Sequence, residues 1–165
     1  MLRAIPQGAV CFIDANIVYY HIFDTPPLSE ECSDFLYRVE QGELTRVISS
    51  DILADAVHKV MMTELVALHG IPRAGILARV KKHPELLDSL NLHKAIPPII
   101  RGLNVIVEPI TLELLEAATE LSVQYRLLTN DALILTTMKK FGIEHLATND
   151  NDFDNISDIQ VWKPR

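Results

Sequence analysis

Cysteine, long apolar runs and low-complexity tracts are scarce or missing in this chain of 165 residues. Its two cysteines, Cys11 and Cys32, are too few for a disulfide framework, and without clustered histidines they make no zinc site. No apolar run approaches membrane-spanning length, and the first residues lack the apolar stretch of a signal peptide. We therefore expect a cytoplasmic protein with no membrane partner. Without a Gly-Ser linker or repeat array to divide it, residues 1–165 are expected to form a single domain.

The composition is that of an ordinary globular protein, but its charge is unevenly distributed. Hydrophobic residues make up 48% and the net charge is −7, which by itself argues against nucleic acid as a partner. Residues 71–101 nevertheless contain six basic and two acidic residues, a net charge of +4, so the remainder carries −11. A basic segment beside an acidic remainder suits a nuclease that holds metal at one place and phosphates at another. A solvated helix face explains the same pattern equally well.

Short apolar stretches alternate with helical ones along the whole chain. Strands are predicted over residues 9–14, 46–49, 104–107, 145–148 and 159–162. Helices are predicted over 29–39, from Ser49 or Ser50 to Gly70, over 111–125 and over 131–141, with shorter helices in a basic segment at about 71–102. The alternation predicts an α/β fold, a three-layer α/β/α sandwich around a central, mainly parallel five-stranded sheet.

Four aspartates occupy places where an unpaired charge is costly. Asp14 ends the first apolar strand, Asp150 follows the fourth, Asp131 opens an apolar helix, and Asp55 lies about one turn into the helix after the second strand. Ligand crevices of open parallel sheets lie beyond the carboxyl ends of the strands, so we expect all four at one edge. Because a divalent cation would relieve both their desolvation and their mutual repulsion, they are the predicted metal ligands and catalytic residues.

Residues near these aspartates have alternative roles. Asn16 is predicted either to hold Asp14 by a hydrogen bond or to serve a turn. Asp152 is a candidate outer ligand, but an EF-hand loop is excluded because its Gly and Glu positions hold Asn155 and Val161. A phosphatase with a nucleophilic Asp14 ranks low, since its usual pattern needs an aspartate where Asn16 stands.

These motifs, in this order, resemble the PIN-domain family of ribonucleases, and especially the VapC-type toxins of prokaryotic toxin–antitoxin pairs. The matching stretches cover nearly the whole chain: residues 12–16, 49–55, 130–134 and 146–153. The chain departs from the family at Asp55, where the usual residue is Glu. That side chain is one methylene shorter, so weaker metal binding is expected.

The resemblance implies a PIN-like fold and a metal-dependent endoribonuclease that hydrolyses phosphodiester bonds of single-stranded RNA. It implies that Mg²⁺ or Mn²⁺ is held by Asp14, Asp55, Asp131 and Asp150, with Asp152 as an extra ligand. It also implies an antitoxin protein as a partner, and a homodimer. The alternative is a non-catalytic PIN-like module that binds RNA or protein, in which the acids persist but metal binds too weakly for catalysis.

Overall fold

A computed structural model describes all residues from 1 to 165 and contains one five-stranded sheet. Every neighbouring pair of strands is parallel, in the order β3-β2-β1-β4-β5. The strands are β1 (Val10–Ile13), β2 (Thr45–Ser49), β3 (Ile106–Glu108), β4 (His145–Ala147) and β5 (Gln160–Trp162). The predicted fold class is confirmed. The third strand begins two residues later than predicted, because Asn104 takes a left-handed conformation with φ 52° that no strand contains.

Seven α-helices connect and cover the strands. They are α1 (Ala15–Ile22), α2 (Leu28–Glu40), α3 (Ser50–His69), α4 (Ile76–Lys82), α5 (Ile96–Gly102), α6 (Leu112–Tyr125) and α7 (Thr129–Phe141). The chain moves from β1 to β3 in one direction across the sheet and then returns past β1 to β4. Since crossovers between parallel strands are right-handed, α1 to α5 lie on one face and α6 and α7 on the other.

The sequence did not predict α1. Its eight residues, Ala15–Ile22, include β-branched and aromatic side chains that favour strands when taken alone. The helix forms because its neighbours bury one of its faces: Ala15, Ile17 and Val18 belong to the main core. Tertiary packing has therefore overridden the local preference.

Several other helices begin or end at capping residues, and some of these are the residues that the sequence predicts. Gly70 and Gly142 take the left-handed conformation and end α3 and α7, and the Thr111 hydroxyl accepts a hydrogen bond from the Leu114 N–H at the start of α6. The sequence predicts Ser29 as the cap of α2, but Ser29 lies inside the helix, and its hydroxyl donates a hydrogen bond to the Asp24 carboxylate at 2.9 Å.

The sequence predicts that α3 buries a stripe of residues at helical spacing, namely Leu53, Val57, Val60 or Met61, Leu65 and Leu68, and the structure bears out part of it. Ile52, Ala56 and Val60 are fully buried, whereas Leu68 is 55% exposed and does not belong to the core. The C-terminal half of α3 packs instead on the following segment, where Leu65 forms a small second cluster with Ile76 and Leu90. The sequence periodicity therefore located the helix and part of its buried face: Val60 and Leu65 are buried, and Leu53 and Val57 pack against the core.

The segment between α3 and β3 is built from short helical turns. It contains α4, α5 and three 3-10 turns (Arg73–Gly75, Pro84–Ser89 and Leu92–Ala95). Glu64, only 5% exposed on α3, accepts hydrogen bonds from the backbone N–H groups of Asn91 at 2.8 Å and Leu92 at 3.1 Å. These hydrogen bonds to a buried carboxylate hold the segment between α3 and β3 against α3. No single helix in the chain is both long enough and apolar enough to cross a membrane.

Candidate active site

The site lies at the carboxyl end of β1, where the order of the strands reverses. β2 pairs with one side of β1 and β4 pairs with the other. The connections that follow β1 and β4 therefore run in opposite directions across the sheet. A crevice opens at such a switch point. Asp14 follows β1 directly, and the residues from Thr148 to Asp150 follow β4.

A network of hydrogen bonds ties these two strand ends together. The Asp14 carboxylate, 6% exposed, accepts hydrogen bonds at 2.5 Å from the Thr148 hydroxyl and from the Asn16 side-chain amide. The Thr148 hydroxyl in turn accepts from the Asp150 N–H at 3.0 Å, and the Asn149 N–H donates to the Asn16 side-chain oxygen at 3.0 Å. The prediction that Asn16 holds Asp14 is confirmed. The network fixes the orientation of the carboxylate.

The four aspartates predicted from the sequence line one cavity of about 460 Å³, which we call the acidic cavity. Asp14 precedes α1, Asp55 lies on α3, Asp131 lies in the first turn of α7 and Asp150 follows β4. The remaining wall is formed by Ile52, Lys59, Leu128, Thr129, Asn130 and Ile134. Four distant parts of the chain thus place their carboxylates around a single space.

The acidic cavity disfavours negative charge. Burial raises the pKa of Asp14, although hydrogen bonding from Thr148 and the charge of Lys59 oppose the rise. The pKa of Asp131 is raised to about 6, first by burial and then by the charges of Asp150, Asp14 and Asp152. These carboxylates therefore repel one another in the absence of a bound cation.

Lys59 is the residue of the site that the sequence reasoning missed. Its ammonium lies 2.8 Å from the Asp55 carboxylate, one helical turn earlier on α3. Burial lowers the pKa of Lys59, but the hydrogen bond to Asp55 and the charges of Asp55, Asp14 and Asp150 outweigh it, so the net pKa is raised. The i, i+4 spacing of Asp55 and Lys59 could have revealed the pair. Asp14, Asp131 and Asp150 take part in no ion pair.

Asp152 lies apart from the other four. Its side chain is exposed and lines a different cavity, with Tyr125 and Arg126. It reaches the acidic cavity in two indirect ways: its N–H donates to the Asp150 carboxylate at 2.9 Å, and its charge contributes to the raised pKa of Asp131.

The donor set of the acidic cavity fits a hard divalent cation. All four acids offer carboxylate oxygens, the ligands that Mg²⁺ and Mn²⁺ prefer. No three acidic, histidine or cysteine side chains are close enough together to enclose an ion by themselves. Mg²⁺ usually keeps several waters and is bound through one or two carboxylates together with substrate phosphates.

Solved structures share the fold over most of the chain. It aligns with the VapC20 toxin of Mycobacterium tuberculosis, described as cleaving the sarcin-ricin loop, with a TM-score of 0.61 and 18% identity over 89% of this chain and 95% of that one. It also aligns with a VapBC2 structure of Rickettsia felis bound to a promoter DNA fragment, with a TM-score of 0.59 and 16% identity over 94% and 99%.

Sequence comparisons agree with this fold. The chain is 27% identical to ribonuclease VapC2 of Methanocaldococcus jannaschii over 152 residues, which is 91% of each chain. The PIN domain family model matches residues 11–159, a span that contains all four aspartates of the acidic cavity. This protein therefore belongs to the PIN-domain family.

Proposed function

We propose that this protein is a VapC-type endoribonuclease that cleaves single-stranded RNA with the help of a divalent metal ion. The observation that carries the proposal is the convergence of Asp14, Asp55, Asp131 and Asp150 on one cavity at the switch point of the sheet. The match to a protein named ribonuclease VapC2, over 91% of each chain, supports the activity. The likeness to a toxin described as cleaving the sarcin-ricin loop supports RNA as the substrate.

Asp14, Asp131 and Asp150 are the proposed holders of Mg²⁺ or Mn²⁺, because none of them is taken up by an ion pair within the chain. Asp55 would join them once Lys59 turns away from it, and Asp152 would act from outside through Asp150. When bound, the metal supplies Lewis-acid polarisation of the phosphodiester and neutralises charge on the attacking and leaving oxygens.

The chain's own residues prepare this site in advance. Thr148 and Asn16 hold the Asp14 carboxylate in one orientation, so it need not be reorganised when substrate arrives. Lys59 keeps a positive charge beside the carboxylates, where it can face a phosphate of the RNA backbone. No nucleophilic side chain is needed, because water is the attacking group in phosphodiester hydrolysis.

The activity is tested by measuring cleavage of a single-stranded RNA with added Mn²⁺. We expect Asp14→Asn and Asp131→Asn to lose about 100-fold or more of the wild-type rate, since even outer-shell changes at metal sites cost about 10–100-fold. Asp88→Asn, which removes an exposed carboxylate elsewhere, is the matched control. Equal cleavage by all four proteins would identify a contaminating nuclease and remove the proposal.

A non-catalytic PIN-like binding module is the second candidate. The ion pair between Asp55 and Lys59 favours it, because an internal cation already neutralises one of the predicted ligands. A module of this kind would bind RNA with unchanged affinity in Asp131→Asn and would cleave none of it. Cleavage that is lost in Asp131→Asn and in EDTA would exclude the module.

Further features extend the proposal. Two related structures are of toxin–antitoxin proteins, which supports an antitoxin protein as a partner of this chain. We propose one PIN-like domain over residues 1–165, because Glu64 and the cluster around Leu65 join the basic helical segment at about 71–102 to α3. Homodimer formation and action in the cytoplasm stay predictions.

A further inference from the structure

A second cavity borders the acidic cavity and shares two of its residues, Lys59 and Asp150. We call it the tyrosine cavity, because Tyr19 and Tyr20 line it together with Asn16 and Asn149. Its volume is about 490 Å³, within the range of about 300–1,000 Å³ that is usual for sites binding small organic groups. A ligand that occupied both cavities would contact Lys59 at their shared boundary.

One face of α1 builds the wall of the tyrosine cavity. Asn16, Tyr19 and Tyr20 stand at i, i+3 and i+4, so they project from the same side of the helix. The Tyr20 hydroxyl accepts a hydrogen bond from the Asn149 amide at 3.1 Å, and the Tyr19 hydroxyl accepts one from Thr63 at 3.4 Å. The two rings meet edge to face at 5.5 Å. With both hydroxyls tied, the aromatic surface is held in place before any ligand arrives.

The charge of the tyrosine cavity differs from that of its neighbour. Two cations, Lys59 and Arg73, line it, and Asp150 is its one carboxylate. Arg73 is exposed and forms no ion pair within the chain, so its guanidinium is available to an incoming anion. Arginine binds phosphate by two parallel hydrogen bonds, and amides such as Asn149 can donate to or accept from a base edge.

We propose that the tyrosine cavity binds the nucleotide next to the phosphodiester bond positioned in the acidic cavity. The base stacks on the tyrosine pair, Tyr20 foremost, and the backbone phosphate binds Arg73 with Lys59 at the boundary. Aromatic surface combined with a cationic groove is the arrangement that holds single-stranded nucleic acid with little dependence on sequence. The inference rests on the proposed function, since it names how that site holds its RNA.

The test measures binding of a fluorescent single-stranded octaribonucleotide by anisotropy in the full-length Asp131→Asn protein, which should not cleave it. Tyr20→Ala should raise Kd about 10-fold, the loss expected for one stacked base, and Tyr20→Phe should recover most of that affinity. Arg73→Gln should weaken binding and lower the slope of log K against log salt by about 1. Tyr37→Ala and Arg3→Gln, which change exposed residues outside both cavities and outside the basic segment, should bind as the parent does.

An abasic position moved along the octaribonucleotide locates the stacked base. In the parent, an abasic site at one position of the octaribonucleotide should lower the affinity. In Tyr20→Ala an abasic site at that position should cause no further loss, because the stacking contact between ring and base is already absent. Unchanged Kd in both Tyr20→Ala and Arg73→Gln, while the wild type still cleaves RNA, would overturn the inference and leave the proposed function standing. If the wild type cleaves no RNA but these variants bind RNA more weakly than the parent, the tyrosine cavity is an RNA-binding site and the proposed nuclease function is wrong.

Discussion

Replacing Asp131 by Asn should stabilise the metal-free protein at neutral pH. Asp131 lies half-buried in the acidic cavity with no cationic partner, and its pKa is raised from 3.8 to about 6. A raised carboxyl pKa means that folding makes ionisation of the group harder. The charged form therefore destabilises the fold, and an isosteric amide removes that penalty.

The size of the gain follows from the two pKa values. A difference of about 2 pH units corresponds to about 3 kcal/mol as an upper bound, which solvent screening of a partly exposed group reduces to about 1–2 kcal/mol. For a chain of this length that is about 2–8 °C in Tm. Between pH 3.8 and about 6 the folded protein binds more protons than the unfolded chain. The free energy of unfolding therefore falls as pH rises through this window, and the variant's advantage disappears below about pH 4.

Thermal unfolding in EDTA, at pH values on both sides of the window, measures the effect. Asp88→Asn changes the charge equally at an exposed position and should stay within about 0.5 kcal/mol of the wild type. Added Mn²⁺ should then raise the Tm of the wild type more than that of Asp131→Asn, because a ligand that binds only the folded state stabilises it. A lower Tm for Asp131→Asn in EDTA at neutral pH would refute the reasoning and mark Asp131 as a structural residue.

Two further predictions concern residues around the site. Glu64→Gln should lower the free energy of unfolding by about 1–3 kcal/mol, since a buried carboxylate that accepts two backbone hydrogen bonds is replaced, and hydrogen exchange at Asn91 and Leu92 should accelerate. The exposed change Glu120→Gln is its control, and equal exchange in both variants would contradict it. Asp152→Asn should lose no more than about 10-fold of the RNA cleavage rate, because its hydrogen bond to Asp150 comes from the backbone N–H and survives the change, whereas Asp150→Asn should lose about 100-fold. An equal loss in the two would make Asp152 a direct ligand.

Much of the site could be read from the order of residues along the chain. Strands that alternate with helices predict a parallel sheet, and the carboxyl ends of its strands share one edge. Asp14 directly follows β1 and Asp150 lies three residues beyond the end of β4, so their meeting required only that β1 and β4 be neighbours. Asp131 was recognisable because an acid at the start of an apolar helix needs compensation.

Other parts of the site could not be predicted, because they depend on contacts between distant segments. The α1 helix, with Tyr19 and Tyr20 on one face, has a local preference for strand that the core overrides. The hydrogen bond from Thr148 to Asp14 joins residues 134 positions apart. On α3, Ile52 and Ala56 are buried and Leu68 is exposed, because neighbouring segments decide which part of a helix is covered.

The sequence by itself determined the class of fold and the identity of the four acids, because apolar periodicity and the cost of unpaired charge are local properties of the chain. Only the tertiary structure decided how those acids are balanced. The order β3-β2-β1-β4-β5 brings the two strand ends together, and packing half-buries Asp131 beside Asp14 and Asp150 without an ion pair of its own. The electrostatic free energy of these acids depends on their distances from other charges and on their burial, and neither quantity can be derived from the sequence alone.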